Sequence, residues 1–193
     1  WKHEGIGSFG DALDILDKEG EQAYIDHFKQ PAFGIANEKP VVQGKDIEEE
    51  TAYINDIYSK GSFFMHTLRY VIGDNIFFPT LKKLATAPQY TYDNLVNTDD
   101  VEQLFSNASG ENLKPLFDFY LRTTQKLEVH VTAMRGNKYK IQLDNFDMPL
   151  PLDITTDQGK QKIMVDKKGV VVTSTTLPMI DPDMYYLKKV IYE

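Results

Sequence analysis

Two side chains in this sequence have the type and the neighbours to do chemistry: the carboxylate of Glu4 and the phenol of Tyr58. Glu4 heads the run Glu4-Gly5-Ile6-Gly7-Ser8, directly after Trp1-Lys2-His3. A catalytic zinc keeps three protein ligands and an open position for water. In many zinc peptidases two histidines come from one helix and a Glu comes from a second helix packed against it. Such a crossing needs small residues. A carboxylate followed by small residues, with Trp1 anchoring the entry, suits that third ligand position. The plainer alternative is a surface Glu at a helix start, which the helix dipole favours. Tyr58 stands in Tyr58-Ser59-Lys60-Gly61, just ahead of the most strongly amphipathic stretch. Peptide hydrolysis at zinc builds negative charge on the carbonyl oxygen. A fixed hydroxyl can donate to that oxygen while the metal polarises it from the other side. Gly61 would leave room beside the phenol. The alternative is a core or rim tyrosine, ordinary in a chain with 11 of them.

Other patterns lead nowhere. Gly5-x-Gly7-x-x-Gly10 matches a dinucleotide fingerprint, but that motif works only as a turn between a strand and a helix. Four residues precede it and none forms a strand. His3-Glu4 begins like a His-Glu-x-x-His zinc helix, yet Gly7 stands where the second His belongs. The remaining histidines, His27, His66 and His130, have unrelated spacings and read as surface or packing residues.

Composition narrows the function classes. The chain has 193 residues, 41% of them hydrophobic and 26% charged, which is ordinary globular composition and enough for a real core. A formal net charge of -8 repels phosphate backbones, and no Lys/Arg cluster offsets it, so nucleic acid is not an expected partner. No apolar run approaches the roughly 18 to 20 residues of a membrane span. There is no cysteine, which excludes disulfides and thiolate metal sites. The compartment stays open between cytoplasmic and extracytoplasmic.

The elements that must position these residues change character along the chain. Positions 4 to 18 carry Phe9, Leu13 and Leu16 at helical spacing and stop at Gly20. A short helix through Tyr24, Ile25 and Phe28 ends at Pro31. Residues 31 to 46 read as loop, and Asp46 to Glu50 as the solvated first turn of the next helix. Phe64, Leu68, Val71 and Ile72 line one helix face, which Gly73 terminates. Asp74 is the expected cap of a helix with Phe77, Leu81 and Leu84, and Pro79 threatens to shift its start. Thr98 is the expected cap for Val101, Leu104 and Phe105. A last helix carries Leu113, Leu116, Phe117, Tyr120 and Leu121, with Pro115 tolerable in its first turn. Near residue 125 the period becomes 2, through Leu127, Val129 and Val131, then Tyr139, Ile141 and Leu143. Leu152-Ile154, Ile163-Val165 and Val170-Val172 follow at hairpin spacing, with a turn at Asp166 to Gly169. The expected architecture is a helical lobe, residues 1–124, followed by a small antiparallel β-sandwich, residues 125–193.

Trp1-x-x-Glu4-Gly5-x-x-Ser8 followed by Tyr58-x-Lys60-Gly61 resembles the aminopeptidase N and leukotriene hydrolase family of zinc metallopeptidases, the gluzincins. The likeness extends through Leu68-Arg69-Tyr70-x-x-Gly73-Asp74, Thr98-x-Asp100, Ser109-Gly110-x-x-Leu113 and Phe117. It continues from Leu127 to the closing Asp181-Pro182-Asp183 and Leu187, so it covers nearly the whole chain. The resemblance implies the helical lobe of a thermolysin-like catalytic domain. It implies zinc as cofactor, Glu4 as third zinc ligand and Tyr58 as the group that stabilises the transition state. The substrate it implies is a peptide cleaved at its N-terminal residue.

The departures are equally definite. No His-Glu-x-x-His is present, and no Gly-x-Met-Glu-Asn stretch, the family's binder of the substrate amine. The resemblance therefore implies a trailing piece of a longer enzyme, with both motifs upstream of Trp1. Alone, these residues are expected to be inactive and essentially zinc-free. An exposed apolar face on the Glu4 helix is expected to pair with a second copy or with the missing N-terminal part. Two other classes remain: a scaffold or binding module that kept the fold and lost the metal, and an unrelated adaptor in which Glu4 and Tyr58 lie far apart.

Overall fold

A computed structural model of the chain describes residues 1–30, 34–44, 47–91 and 94–193. The chain forms two compact units, Trp1–Thr124 and Gln125–Glu193. The first is helical: α1 (Lys2–Glu19), α2 (Glu21–Lys29), the short α3 (Glu49–Ala52), α4 (Ser59–Ile72), α5 (Asp74–Thr86), α6 (Thr98–Ser109) and α7 (Lys114–Arg122). The expected stop at Pro31 and the acidic start at Asp46 lie outside the described residues. No helix among those described is long and apolar enough to cross a membrane.

The centre of this unit is α4, buried on all sides from Lys60 to Arg69. Phe64 meets Phe117 edge to face at 4.7 Å and Trp1 at 5.9 Å. On its other flank His66 stacks on Phe28 at 4.1 Å and hydrogen-bonds Tyr24 Oη through Nδ1 at 2.8 Å. Arg69 lies over the Tyr24 ring and donates to Asp74 and Glu21 at 2.7 to 2.9 Å. A buried guanidinium requires such carboxylate partners, because an uncompensated charge in the interior costs several kcal/mol, of the order of 3 to 5.

The closest approach in the unit is between α1 and α4. A Cβ on Gly5 would lie 2.7 Å from the Gly61 Cα and 2.8 Å from the Ile57 carbonyl oxygen, and a Cβ on Gly61 would lie 2.9 Å from the Gly5 Cα. The small residues of both motifs therefore serve a backbone crossing, and Gly61 does more than leave room beside Tyr58. Gly7, by contrast, meets nothing within 4 Å.

Three local expectations are corrected. Asn97, not Thr98, caps α6: its side chain accepts from Asp99 and Asp100, while Asp100 accepts from the Asn97 backbone at 2.7 Å. Thr98 instead accepts from Trp1 Nε1 at 3.1 Å. Gly73 rather than Asp74 precedes α5 as its cap, and Asp74 is drawn to Arg69. Pro79 does not shift the start of α5. It lies inside a helix that begins at Asp74, and the carbonyl it leaves without a partner belongs to exposed Asn75, where water can satisfy it.

The second unit holds β1 (Leu127–Met134), β2 (Lys138–Leu143), β3 (Leu150–Thr156), β4 (Gly159–Val165), β5 (Val170–Thr173), β6 (Met179–Ile180) and β7 (Lys188–Tyr192). They form two sheets, β5-β2-β1-β7 and β4-β3-β6. Leu127, Val129, Val131, Ile141 and Leu143 of the first sheet and Leu150, Leu152, Ile154 and Val165 of the second are all but fully buried. The sheets are not wholly antiparallel, because β7 runs parallel to β1. Nor is the Asp166 to Gly169 turn a hairpin. It carries the chain from β4 in one sheet to β5 in the other. Its Gly169 has φ 79, and a Cβ there would lie 2.8 Å from both the Gln142 Cβ and the Ile141 carbonyl oxygen.

The crossing makes a paired prediction. Gly61→Ala should cost about 1 to 3 kcal/mol in urea unfolding, because backbone cannot yield to the added methyl. Gly7→Ala should be stabilising by about 0.5 to 1 kcal/mol, as expected for an unobstructed helix glycine. Equal effects of the two substitutions would refute the close crossing.

Candidate functional site

Glu4 lies in the first turn of α1, and Tyr58 immediately precedes α4. The Gly5–Gly61 contact brings these two helix starts together. Between them stands Tyr53, which follows α3. Tyr53 Oη donates to Glu4 Oε1 at 3.0 Å and is in a short hydrogen bond with Tyr58 Oη. A phenol has one proton. With that proton given to Glu4, the Tyr53 oxygen accepts from Tyr58. The order is then Tyr58 to Tyr53 to Glu4. His3 Nδ1 also lies 3.3 Å from Glu4 Oε1. Both contacts engage Oε1, so among the described residues Oε2 is open to another partner.

The path from Tyr53 to Tyr58 is short and firmly held. A 3₁₀ turn at Asn55–Ile57 carries the chain into α4, with Ile57 N donating to the Ile54 carbonyl at 3.1 Å and Tyr58 N to the Asn55 carbonyl at 3.0 Å. Asp56 inside that turn is buried, and its carboxylate accepts from Ala36 N at 3.0 Å and Asn37 N at 2.6 Å. One turn later Lys60, only 1% exposed, donates to Asn37 Oδ1 at 2.6 Å and to the Thr123 carbonyl at 2.8 Å. The lysine of the Tyr58-Ser59-Lys60-Gly61 motif thus points away from Tyr58 and binds α4 to residue 37 and the end of α7.

The electrostatics follow from these partners. The His3 imidazole first of all holds Glu4 below the ordinary carboxylate range; burial, the next largest effect, opposes it, and the Tyr53 and Tyr58 hydroxyls add to the lowering. The Tyr53 phenol is pushed up by its bonds to Tyr58 and Glu4. Burial lowers the Lys60 ammonium to about 8, against an opposing pull from Asp56.

Sequence reasoning singled out Glu4 and Tyr58, and the structure places them at the two ends of one hydrogen-bonded chain. It did not find Tyr53, the link between them. Tyr53 lies five positions before Tyr58, a spacing with no meaning until a 3₁₀ turn folds the chain back. His27 and His66 are packing histidines: both rings lie against Phe28.

No protein-family profile matches the chain, and no curated protein does. Among solved structures, an aminopeptidase A of Legionella pneumophila, in complex with aspartic acid, is similar over 98% of this chain, with a TM-score of 0.72 and 18% sequence identity. This chain spans 24% of the length of that structure. The likeness shows a shared fold, one found in a peptidase.

Two measurements test the site. Tyr53→Phe removes a donor to the charged form of Glu4, so the Glu4 carboxyl should titrate at higher pH by carbon-13 NMR. An unchanged titration would show that the Tyr53 contact is absent in solution. For Lys60, the folded chain releases its proton near 8 while the unfolded chain holds it to about 10.5, the ordinary value. Between these values the unfolded state binds more protons, so stability should rise with pH, by about 3 kcal/mol in all. Below 8 both states are protonated and Lys60 adds no slope. Lys60→Met should remove the rise, and superimposable curves for the two proteins would count against a buried, depressed Lys60.

Proposed function

We propose that this chain is part of a zinc-dependent aminopeptidase of the aminopeptidase N type, with Glu4 as third zinc ligand and Tyr58 as donor to the developing oxyanion. The observation that carries this reading is the hydrogen-bonded chain Glu4–Tyr53–Tyr58 at the α1–α4 crossing. The motifs of the aminopeptidase N family and the fold shared with the Legionella aminopeptidase A support it. The adaptor alternative required Glu4 and Tyr58 to lie apart.

The donor set fits one position of a zinc site. Glu4 offers Oε2, with Oε1 oriented by Tyr53, which is how carboxylate ligands are held by an outer shell. Zinc, when bound, supplies a polarising charge and an acidified water. Two more ligands and a general base would have to come from residues beyond this sequence. Tyr58 supplies the proton that meets the oxyanion. Turning its hydroxyl from Tyr53 to the substrate needs rotation about one C–O bond, with Tyr53 remaining on Glu4. Such a donor acts on the transition state more than on substrate binding. The thermolysin-like lobe, the cleavage of N-terminal residues and the piecewise nature of the chain belong to this same reading.

The reading frame upstream of Trp1 should encode a His-Glu-x-x-His helix. In the protein that carries it, Tyr58→Phe should lower kcat by about 10² to 10³ with KM little changed. Glu4→Gln should reduce its zinc content. An upstream segment without those histidines, or full turnover in Tyr58→Phe, would sink the reading and leave a scaffold or binding module.

A further inference from the structure

The unit Gln125–Glu193 carries a cluster that the proposed peptidase chemistry does not use. Glu128 and His130 alternate on one face of β1, opposite the buried face of Leu127, Val129 and Val131. Asp144 follows β2 and comes directly across from Glu128, its backbone N donating to the Glu128 carbonyl at 3.0 Å. The ligand atoms of Glu128, His130 and Asp144 all lie within 4.8 Å of one another. We propose that these three residues bind a divalent transition-metal ion, with zinc as its representative.

Four features of the strands support this. The two carboxylates oppose each other across neighbouring strands, an arrangement that destabilises a sheet unless a cation lies between them. Among the described residues neither makes an ion pair. Lys189 faces Glu128 in the β1–β7 register but is exposed and forms no ion pair with it. His130 Nδ1 lies 3.4 Å from the Glu193 carboxylate. That ion-pair contact draws Nδ1 toward Glu193 and leaves Nε2 for a metal, in the manner of an outer carboxylate beside a histidine ligand. Finally, the strand end is held rigid. Asn145 Oδ1 accepts from Glu128 N at 2.9 Å while its amide donates to the Lys126 carbonyl, also at 2.9 Å. One imidazole and two carboxylates suit zinc or its neighbours better than calcium or magnesium, which prefer oxygen alone. On this proposal the 193 residues, expected from the sequence alone to be essentially zinc-free, would hold a metal at His130.

The test is titration of the 193-residue chain with zinc by calorimetry, alongside cobalt absorption and magnesium as a control. One equivalent of zinc should bind. His130→Ala and Asp144→Asn should each weaken it by about tenfold or more, and Glu193→Gln by about tenfold through loss of ring orientation. Circular dichroism melts establish that each variant is folded. Mn²⁺ broadening of amide resonances should centre on residues 128–130 and 142–145 in the unmodified chain, which tests the site without any substitution. The titration reads zinc at His130 without any peptidase turnover, so this site can fail while the peptidase reading stands, or the reverse. No zinc binding up to about 1 mM, equal affinity for magnesium, or binding insensitive to His130 and Asp144 would each overturn the proposal.

Discussion

The helical unit depends on a contact between two backbones. Where α1 crosses α4, Gly5 and Gly61 leave no space for a side-chain carbon on either helix. Ordinary helix pairs are held 8 to 10 Å apart, or about that, by their side chains, and at such a distance residues 4 and 58 could not share a hydrogen-bonded link through one tyrosine. The glycines remove that spacer. Ile57, whose carbonyl would also meet a Gly5 Cβ, ties the 3₁₀ turn to the same point. The crossing thus fixes two helix starts and the turn between them in one step, and the chemistry of Glu4 and Tyr58 rests on it.

Polar groups on α4 then lock what the glycines bring close. A helix buried on all sides would ordinarily be apolar all round. This one carries Lys60, His66 and Arg69 instead, and each has a named partner on another segment. Lys60 reaches Asn37 and Thr123, His66 reaches Tyr24, and Arg69 reaches Glu21 and Asp74. Non-specific apolar packing would let α4 rotate or slide among its neighbours. Directional bonds at successive turns penalise such shifts, because any slip strands a buried polar group. This gives a physical reason for so much polarity inside: it sets the register of the helix whose first residues adjoin the site.

Much of this was legible in the sequence where the signal is local. The change from helices to strands falls between Arg122 and Leu127 because apolar residues at Leu127, Val129 and Val131 alternate with polar ones, and the strand they form buries just those positions. Pro115 and Gly73 punctuate helices as their chemistry dictates. What was not legible is whatever depends on a distant partner. Thr98 resembles a cap, but the indole of Trp1 claims its hydroxyl, and Asn97 with Asp100 does the capping. Tyr53 has no mark of function until a tight turn sets it between Glu4 and Tyr58. Gly61 could be seen to be small, but not which backbone it faces. The gathering of Glu128, His130 and Asp144 likewise needs the register of two strands, which no periodicity reveals.

The parallel pairing of β7 with β1 bears on the order in which the second unit assembles. β1 meets β2 across a tight turn, so that edge closes early. Its other edge is matched only when Leu127 finds Lys188, after all three strands of the other sheet have intervened. Contacts so far apart along the chain are slow to form. Until then a long, half-apolar strand presents an open row of backbone donors and acceptors, the situation in which chains join edge to edge. Asp181 acts at this step. Its carboxylate gathers Tyr185 N, Tyr186 N and the Lys188 ammonium, while Tyr186 reaches the Pro151 carbonyl. The segment leading into β7 is therefore clasped to the opposite sheet just before the strand begins. That clasp shortens the effective search for β1 and limits the time its edge stays open to other molecules.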